Sequence, residues 1–158
     1  VVDDDYDFLE LMKARLIGAG FKRVRIEDNP LKATARFASE ENFDIALVDM
    51  TMPEMDGLEL IDAIKNHSPR TECIMVTAVN DARLAVKCLR KGAYDYLVKP
   101  VSEEDLVFSL KRTLEKKRLQ DILDIEKSRK LPALSNPSAF KPIVTRSPTM
   151  MRLLKEAE

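Results

Sequence analysis

The chain has 158 residues, enough to bury a domain-sized core with residues to spare; 45% are apolar and 34% charged. Its 26 Lys and Arg against 27 Asp and Glu leave a formal net charge of −1, which gives no global attraction to nucleic acid or an anionic membrane. No apolar run approaches the roughly 20 residues of a membrane span, and no secretory leader is visible.

Val1-Val2 followed by Asp3-Asp4-Asp5 reads as the end of a first strand running into acids. Phe8, Leu9, Met12, Leu16 and Ile17 then recur at helical spacing, with Gly18 and Gly20 marking the stop. Val24-Arg25-Ile26 is a second, weaker strand. Asn29-Pro30 opens a helix with Leu31, Ala35 and Phe37-Ala38 among its apolar positions. Ile45 to Val48 is a continuous apolar run, as suits a strand buried on both faces of a parallel sheet, and it ends on Asp49. Pro53 and Asp56-Gly57 follow, then a helical pattern of Leu58, Leu60, Ile61 and Ile64. Cys73 to Val76 is a fourth strand, ending at Thr77-Ala78. Asp81 to Lys91 is a fourth helix, with Leu84, Val86 and Leu89 facing inward and Gly92 closing it. Tyr94 to Val98 is a fifth strand, ending on Lys99-Pro100. Ser102, followed by Glu103, Glu104 and Asp105, is an N-terminal cap with acids that favour the helix dipole.

Five strands alternating with five helices predict an α/β fold: a doubly wound parallel sheet, flavodoxin-like, with strand order 2-1-3-4-5 and an extended C-terminal helix. That last helix meets no breaker between Ser102 and Leu131-Pro132, about 29 residues or roughly 43 Å of helix. Leu106, Leu110 and Leu114 fit the domain's own core. Leu119, Ile122, Leu123 and Ile125 continue apolar past it, which calls for a partner helix, most simply from a second copy. The heptad is broken between Leu114 and Leu119, so a frayed or folded-back tail stands as the alternative. The basic residues Lys111-Arg112 and Lys116-Lys117-Arg118 read as a solvated helix face. Leu131 to Pro142 holds three prolines and reads as a linker. Arg146-Ser147-Pro148 reads as a fresh helix start, with Met150, Met151, Leu153 and Leu154 on its apolar face. The organisation expected is 1–118 as one domain, 119–130 as helix continuation, 131–146 as linker and 147–158 as the opening of a further domain. On this reading the chain is a fragment.

Cys73 and Cys88 lack metal-type or redox spacing and read as buried reduced thiols of a cytoplasmic protein. The only histidine, His67, sits near a helix end and reads as surface, so histidine-based catalysis is poorly supported. The polar residues at the strand ends are the candidate site. Strand one delivers Asp3 and Asp4, strand three Asp49, strand four Thr77 and strand five Lys99. With the order 2-1-3-4-5 these share the carboxyl edge, where ligands of open α/β sheets gather. Three carboxylates close together repel unless a cation sits among them, and a hard oxygen-preferring ion such as Mg²⁺ meets that need. Lys99 and the Thr77 hydroxyl would then face a bound anion. A metal, a carboxylate nucleophile, a lysine and a hydroxyl are what in-line phosphoryl transfer to an aspartate needs.

VVDDD, VDMTMPEMDGLEL, VTA and YLVKP, in this order and spacing, resemble the receiver domain of two-component response regulators over residues 1 to about 118. The resemblance implies that Asp49 is the phospho-acceptor and that Asp3 and Asp4 are the acidic metal pair. It implies the backbone carbonyl of Thr51 as a third ligand of Mg²⁺ (or Mn²⁺), beside Asp49 itself. Thr77 and Tyr96 match the switch hydroxyl and switch aromatic, Lys99 the family's lysine, and the Lys99-Pro100 bond is expected to be cis. Asp5, one place beyond the metal pair, is left with a supporting role. The long helix, linker and VTRSPTMMRLLKEAE segment resemble sigma-54-dependent transcription activators of the nitrogen-regulator (NtrC) type. That implies a sensor histidine kinase as phosphoryl donor and a homodimer through the last helix. It also implies DNA and sigma-54 RNA polymerase as partners only through C-terminal domains, and no membrane partner. No phosphate-binding loop is present, so the chain is not itself expected to be an enzyme. Two other functions stand beside this one. The first is an interaction module that dimerises whatever its phosphorylation state. The second is a haloacid-dehalogenase-type phosphatase using Asp3, for which Asp7 stands where that motif wants Thr or Val.

Overall fold

The computed structural model describes residues 1–39 and 42–128, and the chain divides into two units, Val1–Lys117 and Arg118–Glu158. The elements run α1 (Tyr6–Gly18), α2 (Pro30–Ala38), β1 (Ile45–Val48), α3 (Gly57–His67), β2 (Glu72–Thr77), α4 (Ala82–Arg90), β3 (Ala93–Val98) and α5 (Glu103–Ser128). The expected linker at 131–146 and helix start at 147–158 lie outside the described residues.

Short polar side chains start the helices by accepting otherwise orphaned backbone N–H groups. Asp5 accepts from Phe8 N, Asn29 from Lys32 N, Asp81 from Arg83 and Leu84 N, and Ser102 Oγ from Asp105 N. At α3 the bonding is reciprocal: Asp56 accepts from Glu59 N at 2.8 Å while Glu59 accepts from Asp56 N at 3.0 Å.

β1, β2 and β3 form a parallel sheet in that order. The first two expected strands are reduced to bridges: Val2 pairs in parallel with Glu27 on one side and Val48 on the other. So the five-stranded sheet expected from the sequence is found, among the described residues, as three strands with Val2 stitched to their edge. Val24-Arg25-Ile26 is short and carries an exposed arginine at its centre, so little apolar burial holds it to the ladder. The bridges nonetheless give Val2 the neighbours that the order 2-1-3-4-5 requires.

Alternation along the strands sorts the core onto two faces. Ala46, Val48, Cys73 and Met75 pack with Phe37, Leu60, Ile61 and Ile64 from α2 and α3. Leu47, Ile74 and Val76 pack with Met12, Leu16, Leu106 and Leu110 from α1 and α5. Helices therefore cover both faces, as the continuous apolar strands predict. α4 differs from expectation in part: Leu84 packs inward as expected, but Val86 and Leu89 are exposed and Cys88 is buried instead. Residues 84 and 88 stack one turn apart, whereas 86 and 89 form a second stripe on another side of the same helix.

Two lysines of α5 also depart from the solvated-face reading. Lys116 Nζ lies 2.8 Å from Glu72 Oε1 and 4.8 Å from the Tyr94 ring, and Lys117 Nζ lies 2.9 Å from Asp44 Oδ1. Burial pushes the Glu72 carboxyl up, but Lys116 and Lys65 outweigh it and its pKa is lowered. In the second unit Leu119, Ile122, Leu123 and Ile125 are exposed. No described helix is long and apolar enough to cross a membrane.

Candidate functional site

Three elements deliver the central residues. The bond from Val2 N to Leu47 O (2.8 Å) and that from Asp49 N to Val2 O (2.9 Å) hold Asp49 beside Val2 at the end of β1. Asp3 follows Val2 directly, its N–H bonded to Glu27 O at 3.2 Å. Lys99 follows β3, and its N–H reaches Thr77 O, at the end of β2, at 2.8 Å. The Lys99-Pro100 peptide is cis.

These strand ends converge on one ammonium. Lys99 Nζ lies 2.6 Å from Asp3 Oδ2 and 2.9 Å from Asp49 Oδ1. Asp3 and Asp49 are buried, at 2% and 5% exposure, so each needs a cationic or hydrogen-bonding partner there. Their remaining oxygens are held by the backbone: Asp3 Oδ1 accepts from Asp5 N at 3.1 Å and Asp49 Oδ2 from Thr51 N at 2.6 Å. Burial raises the Asp3 pKa, and the bond from Lys99 only partly offsets it. For Lys99 burial acts to lower the pKa, but the two carboxylates outweigh it and the pKa is raised. The lysine is a firmly held cation at neutral pH.

The switch candidates meet elsewhere, at Val79. Thr77 Oγ1, buried, accepts from Val79 N at 3.2 Å, and the Tyr96 hydroxyl donates to Val79 O. Two hydroxyls from neighbouring strands thus clasp one residue of the β2–α4 loop, one at its N–H and the other at its carbonyl. Asp4 is exposed and stands outside the Asp3–Lys99–Asp49 group.

Two residues to which the sequence reading gave no role at the site pack against it. Phe8, read from the sequence only as an apolar helix position, lies under Lys99, with Nζ 4.1 Å from the ring centroid. Gly57 packs so tightly that a Cβ there would collide with the Asp49 carbonyl oxygen. The sequence signal for Gly57 was its place after Asp56 at a helix start; for Phe8 there was none beyond its spacing.

Among the described residues no group of three or more His, Cys, Asp or Glu side chains is assembled for a metal. The donors that do converge are all oxygen, from two buried carboxylates. That fits Mg²⁺, which binds through one or two carboxylates and keeps waters in its other positions.

Residues 1–111 match the response regulator receiver domain family. The transcriptional regulatory protein ZraR of Klebsiella oxytoca is 35% identical over 154 residues, covering 98% of this chain and 32% of ZraR. The chain thus spans about a third of the length of that relative. The structure of NtrX from Brucella abortus in complex with ADP aligns with a TM-score of 0.71 at 25% identity, over 99% of this chain and 32% of that one. The CheX–CheY–BeF3–Mg²⁺ complex of Borrelia burgdorferi aligns with a TM-score of 0.68 at 25% identity, over 72% of this chain and 85% of that one. The chain belongs to the response regulator receiver domain family, and relatives that match it along its whole length are regulators of the NtrC type.

Proposed function

We propose that this chain is a phospho-accepting receiver in which Asp49 takes a phosphoryl group from a sensor histidine kinase. The observation that carries this reading is Lys99 held between buried Asp3 and Asp49 at 2.6 and 2.9 Å. An Asp49 carboxylate oxygen attacks phosphorus, an O–P bond forms, and the N–P bond to the kinase imidazole breaks with its electron pair leaving on nitrogen. Lys99 neutralises charge gathering on the transferring oxygens, and Thr51 N–H fixes the carboxylate's orientation. Mg²⁺, held by Asp3, Asp4, Asp49 and the Thr51 carbonyl, would supply further charge neutralisation there.

Phosphorylation changes the charge on Asp49 and draws Thr77 and Lys99 toward it. Thr77 then releases Val79 N–H, and Tyr96, bonded to the carbonyl of the same residue, moves with the loop. The face of α4, β3 and α5 thereby changes. In a longer protein of the sigma-54 activator type this face and the last helix would set dimer geometry and control an ATPase domain. DNA and sigma-54 RNA polymerase would be met only through such further domains.

Intact-mass analysis after incubation with acetyl phosphate tests the chemistry. Wild type with Mg²⁺ gains one phosphoryl adduct, and both a chelator and Asp49→Asn abolish it. An adduct that persists in Asp49→Asn at another residue overturns the assignment.

The exposed apolar residues Leu119, Ile122, Leu123 and Ile125 favour a second reading, a dimerisation module indifferent to phosphorylation. Sedimentation with and without beryllofluoride separates the two, because an unchanged dimer supports the module and a shifted association supports the switch.

A further inference from the structure

The geometry points to Phe8 as a positioning residue that holds the Lys99 ammonium at the Asp3–Asp49 pair through the face of its ring. This role rests on the reading of Asp49 as phospho-acceptor and adds to it a control exerted from the first turn of α1.

The contacts form a closed circuit. Lys99 Nζ meets Asp3 Oδ2 at 2.6 Å, and Asp3 Oδ1 accepts from Asp5 N at 3.1 Å. Asp5 Oδ1 accepts from Phe8 N at 3.1 Å, the bond that caps α1 and fixes where the Phe8 side chain begins. The Phe8 ring returns to Lys99 at 4.1 Å, closing the circuit. Asp3 and the start of α1 are thus linked to one lysine by two routes, one polar and one aromatic. Lys99 is left with two carboxylates and a ring around its ammonium.

A ring differs from an aliphatic side chain of similar size in what it offers a cation. Its face carries partial negative charge, which compensates an ammonium for part of the water it has lost; a leucine would exclude the water and return nothing. Unlike a third carboxylate, the ring attracts the lysine without competing as an anion for the incoming phosphoryl group. Lys99 is therefore kept beside Asp49 while it remains available to shift from the carboxylates to phosphoryl oxygens. Phe8 is half-buried, so the ring also closes one approach of solvent to that ammonium.

The experiment uses the full chain as wild type, Phe8→Leu and Phe8→Trp, with thermal melting to confirm that each folds. The rate of adduct formation with acetyl phosphate and Mg²⁺ falls roughly two- to five-fold in Phe8→Leu, and Phe8→Trp, which restores an aromatic face, recovers most of it. Proton NMR of the lysine ε-methylene supplies a readout independent of labelling: the Lys99 resonance in wild type is moved upfield by the ring current, and Phe8→Leu returns it to the ordinary lysine position. An unshifted Lys99 resonance in wild type overturns the proposal, even if Phe8→Leu fails to fold. A wild type that labels normally, with Phe8→Leu as fast, removes the role of Phe8 and leaves Asp49 as acceptor. A wild type that takes no adduct removes both.

Discussion

A methyl group on Gly57 has nowhere to go, because its ideal Cβ meets the Asp49 carbonyl oxygen and lies 2.9 Å from Met50 Cα. Both neighbours are backbone, so relief requires the strand end that carries Asp49 to move. Gly57→Ala is expected to cost about 1–3 kcal/mol in urea unfolding, the usual range for overpacking, and to slow acetyl-phosphate labelling. Unchanged stability with unchanged labelling would show that the loop yields freely. Asp3, Asp49 and Lys99 were legible in the sequence because a charged residue at the end of an apolar strand is conspicuous. Phe8 was not. A ring under an ammonium depends on residues far apart in the chain, and an apolar residue at helical spacing carries no mark of it. Asp4 was legible as an acid, and its side chain is exposed next in sequence to the buried Asp3.

Among the elements, the buried strands were the plainest to read. β1 and β2 are continuous apolar runs, and each alternate residue found its own core. The first two strands were over-read, since single-sequence pattern gives a strand where the chain makes only a bridge at Val2. On α4 two apolar stripes competed, and the smaller Leu84–Cys88 pair won. The end of α5 within the first unit depends instead on charge, through Glu72 between Lys65 and Lys116. The folded-state pKa of Glu72 lies below its ordinary value of 4.5. As pH falls through 4.5 the unfolded chain takes up this proton first, so the stability Glu72 contributes is present above that pH and is lost below it. Thermal melting from pH 6 to pH 3 should therefore fall more steeply in wild type than in Glu72→Gln. Parallel curves would show that the lysines do not depend on Glu72 charge. At the start of α3, Asp56→Ala breaks a reciprocal pair of bonds and should cost about 1 kcal/mol.

At the scale of the whole molecule, a net charge of −1 gives no global argument for nucleic acid or membrane, and layering followed from strands that are apolar on both sides. Association of the chain is a separate proposal, and it rests on the exposed Leu119, Ile122, Leu123 and Ile125. Replacing Leu119 and Ile122 with Asp is expected to convert a sedimenting dimer to monomer while leaving phosphoryl labelling intact; a variant that remains dimeric places the interface elsewhere. The bond between Lys99 and Asp3 joins residues 96 positions apart, with Asp49 lying between them in the chain. Contacts of such long sequence separation form only once the intervening chain has been brought into place. A partly folded molecule, a nascent chain still short of β3 or one opened at either edge of the sheet, carries the Asp49 side chain but no lysine beside it. On the proposed reading of Asp49 as phospho-acceptor, competence to receive a phosphoryl group is therefore a certificate of completed folding, and unfinished copies of the protein stay silent toward a kinase.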